Sequence, residues 1–235
     1  MQLPKEIDVT EQMVDISQLT EKQTAYYVAL ATKLKQSYIK NRAGRQIFTL
    51  SGPAGSGKSV VSAMLEYLLA DEEAFLYMNV GLDAFHYPNE QLATRGLLGT
   101  KGRYDTYDTD TLYSKMTAFT AGEAVSFPYY SRTDHNPIDD QLSVTTENVL
   151  LLLEGQWLLR KTPDWSRVRE LSSYNLSVQG SIEAMRENVI NRHLAGGRSA
   201  SEARHFYTES DLVNTNEITS NSEKSDAEIL FYADI

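Results

Sequence analysis

The chain has 235 residues, 41% hydrophobic and 23% charged, with 22 Lys and Arg against 32 Asp and Glu, a formal charge of −10. This is ordinary globular composition, long enough to bury a core without metals or disulfides, and its acidity argues against nucleic-acid or anionic-membrane partners, which rest on basic patches. It contains no cysteine, which excludes disulfides, thiolate catalysis and iron–sulfur clusters.

Residues 1–8 carry no apolar leader, and the longest aliphatic run, 149–153, stops at Glu154, far short of the roughly 20 residues of a membrane span. The expectation is a cytoplasmic protein. With six prolines and no low-complexity tract, no linker is visible, and residues 1–235 read as one domain that begins with a helical segment at 1–45. Within it, residues 11–40 read as an amphipathic helix or helix pair, because Leu19, Tyr26, Leu30 and Leu34 recur at helical spacing. That segment would pack on its own sheet or on a second subunit in a homodimer. A short strand follows at 46–51, then a Gly-rich turn. Over 58–70, Val61, Met64, Leu65, Leu68 and Leu69 form one helical stripe. Residues 74–80 read as a second strand, 109–121 as a helix, and 149–153 as a strand apolar on both faces, as in parallel sheets. Strands at 174–178 and 229–232 and helical patterns at 181–195 and 199–209 complete the series. Strands that alternate with helices predict an α/β fold with a parallel sheet covered on both faces.

Gly52-Pro-Ala-Gly-Ser-Gly-Lys58-Ser59 fits G-x-x-x-x-G-K-[ST] at every fixed position. Its glycines let backbone N–H groups turn inward around phosphates, and the helix that follows adds its positive end. Gly52, Ala54, Gly55, Ser56, Gly57, Lys58, Ser59 and Val60 are therefore the candidate nucleotide-binding residues. Lys58 supplies a cation to the β- and γ-phosphates of ATP, and the Ser59 hydroxyl can ligate Mg²⁺. Phosphoryl transfer also asks for metal positioning and for a group that accepts the acceptor's proton. Asp83 follows the strand 74–80 and Glu154 ends the strand 149–153. Strand carboxyl ends converge on the ligand crevice of a doubly wound sheet, so Asp83 is the candidate base and Glu154 the candidate support for Mg²⁺. The four histidines show no metal-ligand spacing.

With these residues in view, the chain resembles the phosphoribulokinase/uridine kinase family of P-loop kinases, most closely its type I pantothenate-kinase-like and uncharacterised small-kinase branches. Leu82-Asp83-Ala-Phe-His86-Tyr87-Pro88-Asn89 is similar to that family's D-G/A-F-x-Y-P-N segment, whose Asp serves as base. Lys101-Gly102-Arg103-Tyr104-Asp105-Thr-Tyr107-Asp108 resembles K-G-x-P-E/D-[ST]-[FY]-D, and Pro128-Tyr-Tyr130-Ser-Arg132 resembles P-x-Y-[DS]-[RH]. Leu153-Glu154-Gly155-Gln-Trp157-Leu158-Leu159 resembles [IV]-E-G-x-x-[LV]-L, and Asp211-Leu-Val-Asn214 the D-x-x-N of the small-kinase branch. The resemblance implies a three-layer P-loop fold with about five parallel strands, helices on both faces and a helical lid. It also implies transfer of the γ-phosphoryl group of ATP to a hydroxyl of a nucleoside, pantothenate-like or sugar acceptor. On that implication His86, Tyr87, Lys101, Arg103, Tyr130 and Arg132 join Asp83 on the acceptor side, within a segment at 83–135. Arg186, Arg192 and Arg198 fall in a lid at 186–198, with Arg192 and Arg198 turned to the phosphates. Tyr104 stands where the family often has Pro, Arg103 where it has an apolar or small residue, and Gln156 where it has Asn or Leu. The rival reading is a regulatory ATPase without a small-molecule acceptor, but such a switch has little use for a second pocket rich in Tyr, Arg and Lys.

Overall fold

In the computed structural model, residues 3–9, 12–41 and 44–231 are described. Two three-residue strands, β1 (Glu6–Asp8) and β2 (Met13–Asp15), pair antiparallel ahead of helix α1 (Glu21–Lys40). The helix expected over 11–40 is thus helical only from Glu21. Asp15 accepts the Ser17 N–H at 2.8 Å in a local turn, and Thr20 forms a capping box with Gln23, which fixes where the helix begins. The buried face of α1 carries Tyr27, Leu30, Ala31, Leu34 and Tyr38, and it packs on the chain's own core.

The central sheet is built from β3 (Arg45–Ser51), β4 (Leu76–Gly81), β7 (Val149–Gly155), β8 (Ser172–Gln179) and β9 (Ala227–Leu230). They are ordered β4-β7-β3-β8-β9, and every pairing is parallel. Strand β9 lies two residues before the expected span, and Tyr232 falls outside the described residues. The apolar run of β7 divides by the period-2 pleat. Leu150 and Leu152 face α1 and α2 (Lys58–Leu69), whereas Val149, Leu151 and Leu153 face the opposite layer. That second layer holds Leu112, Met116 and Phe119 of α4 (Thr109–Thr120) and Trp165 and Val168 of α5 (Pro163–Glu170). A run of five aliphatic residues is therefore interior on both faces, as its composition predicts.

Three further stretches complete the chain, the first two with little periodicity in the sequence. Residues 82–85 form a 3-10 turn, followed by the short helix α3 (Asn89–Thr94). A separate antiparallel hairpin joins β5 (Val125–Ser131) to β6 (Asn136–Val144), with a register shift between Phe127 and Tyr129 beside Pro128. After α6 (Ile182–Ala195), helix α7 (Ala200–Phe206) runs through a π turn at Tyr207–Asp211 into α8 (Leu212–Ser220). The helix expected at 199–209 thus extends eleven residues further, to Ser220.

Candidate active site

Strand register sets the site. Glu154 lies opposite Leu50 on one side and Gly81 on the other. The turn after Ser51 and the turn after Gly81 therefore leave the sheet at the same end, on either side of Glu154. The first is the Gly-rich loop. Gly55 and Gly57 adopt φ of +76° and +89°, the left-handed region that glycine enters freely. A Cβ on Gly55 would overlap the Met185 carbonyl oxygen, and one on Gly57 would overlap the Phe231 ring. Both glycines are thus required twice, by backbone angle and by space. Ala54 is buried against Val189 and Tyr207, and Asn188 donates to the Gly55 carbonyl at 2.9 Å. The loop is held from behind by α6, and the Ser56 hydroxyl is buried with no partner.

Lys58 and Ser59 open α2 directly beneath this loop, and Val60 packs at the edge of the core. The Lys58 Nζ lies 3.6 Å from one Glu154 oxygen, and the Ser59 Oγ 3.4 Å from the other. Burial pushes the Glu154 carboxyl above its ordinary value, Asp83 pushes it the same way, and Lys58 and Ser59 partly offset both. A half-buried carboxylate beside a hydroxyl supplies two hard oxygen donors. That is the sparse protein ligation that suits Mg²⁺, an ion that keeps several waters and takes its remaining ligands from substrate phosphates. Among the described residues no cluster of three or more His, Asp or Glu forms a self-sufficient metal cage.

Asp83 sits in the turn after β4 with its side chain 65% exposed. Its Oδ1 accepts from the Tyr107 hydroxyl at 3.2 Å, and its backbone carbonyl lies 3.0 Å from the His86 Nδ1. His86 is buried against the Tyr107 ring at 3.8 Å between centroids, and burial lowers its pKa, so it is neutral near pH 7. Its Nε2 has no partner. Tyr130 stands 5.8 Å from His86, and burial pushes its hydroxyl up to about 12, which keeps it protonated.

The remaining residues expected on the acceptor side differ in how far they are committed. Lys101 donates to Asn89 Oδ1 at 2.7 Å and to the His135 carbonyl at 2.6 Å, and lies over the Tyr130 ring at 5.1 Å. It ties α3, the hairpin tip and the Lys-Gly loop together. Both arms of the Arg103 guanidinium are taken by Asp105 at 2.6 Å. Tyr87 carries the Arg95 guanidinium 3.7 Å from its ring centre. Arg132 is exposed, and its charge pulls on the Tyr130 hydroxyl. The Gly102 carbonyl accepts from both Gln156 and Trp157, which fastens the same loop to the end of β7. Tyr104, which departs from the expected Pro, stacks on Arg160 at 3.6 Å, and Arg160 pairs with Glu217 of α8 at 2.6 Å. No motif announces Arg160. It becomes legible only once α8 is seen to return beside the Lys-Gly loop.

Of the arginines expected in a lid, Arg186 lies over the Tyr207 ring at 6.0 Å. Arg192 reaches Asp211, and Arg198 reaches His193 and the Phe206 ring. The sequence brings out these arginines and the Asp211 segment separately; the structure brings Arg192 and Asp211 together.

No family profile matches the chain. An uncharacterised Escherichia coli protein, YggC, is 30% identical over 77% of this chain and 76% of its own. The Schizosaccharomyces pombe protein named "Putative uridine kinase C227.14" is 32% identical over 67% of this chain and 70% of its own. A pantothenate kinase of Rhodococcus erythropolis is 30% identical over 80% of this chain, which spans 62% of that enzyme's length. A solved structure, a "putative fructose transport system kinase" from Silicibacter sp. TM1040, superposes with a TM-score of 0.80 over 86% of this chain and 98% of its own, at 26% identity. None of the described helices is long and apolar enough to cross a membrane. The five parallel strands, the Gly-rich loop between β3 and α2 and these relatives place the chain in the uridine kinase family of P-loop kinases, small-molecule phosphotransferases with a hydroxyl acceptor.

Proposed function

We propose that the chain transfers the γ-phosphoryl group of ATP to a hydroxyl of a polar small metabolite, of nucleoside, pantothenate-like or sugar type. The observation that carries this reading is the convergence at one sheet end of the glycine cradle, the Lys58–Glu154–Ser59 cluster and the exposed carboxylate of Asp83. The loop amides and Lys58 hold the β- and γ-phosphates. Ser59 and Glu154 would hold Mg²⁺ or its waters, and a bound ion would supply positive charge beside the phosphate oxygens. Asp83 accepts the proton of the acceptor hydroxyl. The hydroxyl oxygen then bonds to the γ-phosphorus, the bond from that phosphorus to the bridging oxygen breaks, and ADP leaves.

Tyr107 keeps Asp83 oriented without taking its charge, since burial holds its phenol protonated. His86 buttresses Asp83 as a neutral ring. Tyr130, Tyr87 and Arg132 face the acceptor side, while Lys101 and Arg103 shape that side from positions already committed to protein partners. The lid at 186–198 brings Arg192 and Arg198 over the phosphates and excludes water. Likeness to pantothenate and uridine kinases supports those two acceptor classes.

The test is ADP release from ATP and Mg²⁺ with uridine, pantothenate and fructose added singly. Turnover stimulated by one of them, with the acceptor recovered as its phosphate monoester, supports the reading. Turnover indifferent to a broad panel of hydroxyl compounds favours the regulatory ATPase instead.

A further inference from the structure

Two of the three arginines at 186–198 lead to one carboxylate, Arg192 directly and Arg198 through His193. Asp211 closes the π turn that joins α7 to α8. Its Oδ2 lies 2.8 Å from His193 Nε2, and its Oδ1 lies 3.5 Å from Arg192 Nη2. On the far side of the imidazole, Arg198 Nη1 lies 2.9 Å from His193 Nδ1. A guanidinium only donates, so Nδ1 must accept. The ring then carries its proton on Nε2 and donates to Asp211. The four side chains therefore form one directed network: Arg198 donates to His193, His193 donates to Asp211, and Arg192 donates to the other oxygen of Asp211.

The network is anchored at one end and open at the other. The side chains of Asp211 and His193 are only 14% and 12% exposed, whereas that of Arg192 is 58% exposed. Arg198 also lays its guanidinium 4.2 Å from the Phe206 ring centre. One turn before His193 on α6, Val189 packs with Tyr207 of the π turn against Ala54 of the phosphate loop, with Ile190 and Leu212 alongside. The elements that carry the network are thus bolted to the cradle itself. Each arginine spends one N–H on the network and keeps the others.

We propose that Asp211 is a positioning residue for phosphoryl transfer: directly for Arg192, and through His193 for Arg198, it holds two lid cations beside the cradle before nucleotide arrives. This rests on the reading of the cradle and lid given above. Donors fixed in advance need no reorganisation as charge develops on the transferring group. Long, flexible arginines gain most from being fixed, because their rotamer freedom is otherwise lost on binding.

The experiment compares binding of Mg·ADP and of Mg²⁺ with a non-hydrolysable ATP analogue, so it needs no acceptor. Asp211→Ala is expected to weaken the analogue by roughly tenfold, the scale of one charge-assisted contact, while the ADP affinity stays near wild type. Asp211→Asn keeps one oxygen for His193 Nε2 but turns its amide N–H groups toward Arg192, so it is expected to recover only part of the loss. His193→Asn severs Arg198 from Asp211, and its effect is expected to be non-additive with Arg198→Ala. A helix pin with no part in phosphate binding would lower the thermal midpoint and leave the ratio of the two affinities unchanged, and that result overturns the proposal. Should Asp211→Ala not fold, the His193→Asn and Arg198→Ala cycle decides the matter, and purely additive effects overturn it. If Arg192→Ala and Arg198→Ala both bind the analogue as wild type, the lid reading fails and the proposal with it. If the arginine variants lose affinity while Asp211→Ala and Asp211→Asn do not, the proposal alone fails.

Discussion

Three side chains at the ends of β4 and β7 and the start of α2 divide the work by their surroundings. Asp83 is exposed and hydrogen-bonded by Tyr107, while Glu154 is half-buried beside Lys58. Two carboxylates close enough to repel one another thereby sit in different surroundings, which suits the different tasks proposed for them. Asp83→Asn is expected to keep ATP binding and to lower transfer by roughly 10²–10⁴-fold, the range for loss of a general base. A rate near wild type in that variant removes Asp83 from the role. Lys58→Ala is expected to weaken ATP binding itself by roughly 10–100-fold, the scale of one hydrogen bond from a charged donor, measured by calorimetry. Glu154 yields a pH prediction. Its folded pKa lies above the unfolded one, so the folded state binds the proton more tightly. The destabilisation is absent below the ordinary carboxylate value and fully present above the raised value. Glu154→Gln should therefore raise the thermal midpoint of the nucleotide-free protein at neutral pH, and the gain should shrink on acidification through the carboxylate range. A gain independent of pH would refute this account. On the proposed role of Glu154 in holding Mg²⁺, the same variant should lose activity.

At the scale of elements, the phosphate loop is a strand-to-helix turn clamped from both sides. Gly55→Ala places a side chain on the Met185 carbonyl at a φ of +76°. The backbone strain alone is worth about 1–3 kcal/mol, visible as a lower denaturation midpoint together with lost nucleotide binding. A midpoint equal to wild type would mean that the loop is not clamped by α6. The elements differed in how plainly the sequence spoke for them. Strand β7 is legible because five aliphatic residues in a row have only one place to go, and the Gly-rich loop because few backbones can cradle phosphate. The β1–β2 hairpin was not legible: its strands are three residues long, and the helical stripe beginning at Leu19 masks them. Hairpin β5–β6 was hidden by Pro128 and by a second strand that is mostly exposed and polar, Asn136-Pro-Ile-Asp-Asp-Gln. The Asp211–His193 contact joins the π turn to α6 across 18 positions, and Arg160 finds Glu217 from 57 positions away. Pairings of that kind follow from how elements pack and leave no local pattern behind.

At the scale of the molecule, the formal charge of −10 and an anionic ligand are reconciled by placement. Lys58, Arg192 and Arg198 belong to the elements around the cradle, while Lys101 and Arg103 are held by protein partners beside it. The chain order of the cradle has a further consequence. Gly57 is walled by the ring of Phe231, 174 positions later (231 − 57). At the usual 5–20 residues per second of synthesis, the loop waits on the order of 10–30 s for that wall. A chain stalled before position 231 should therefore hold a fluorescent ATP analogue more weakly than one that has passed it, although every residue of the motif is already present. Translation itself would then time the onset of nucleotide capture.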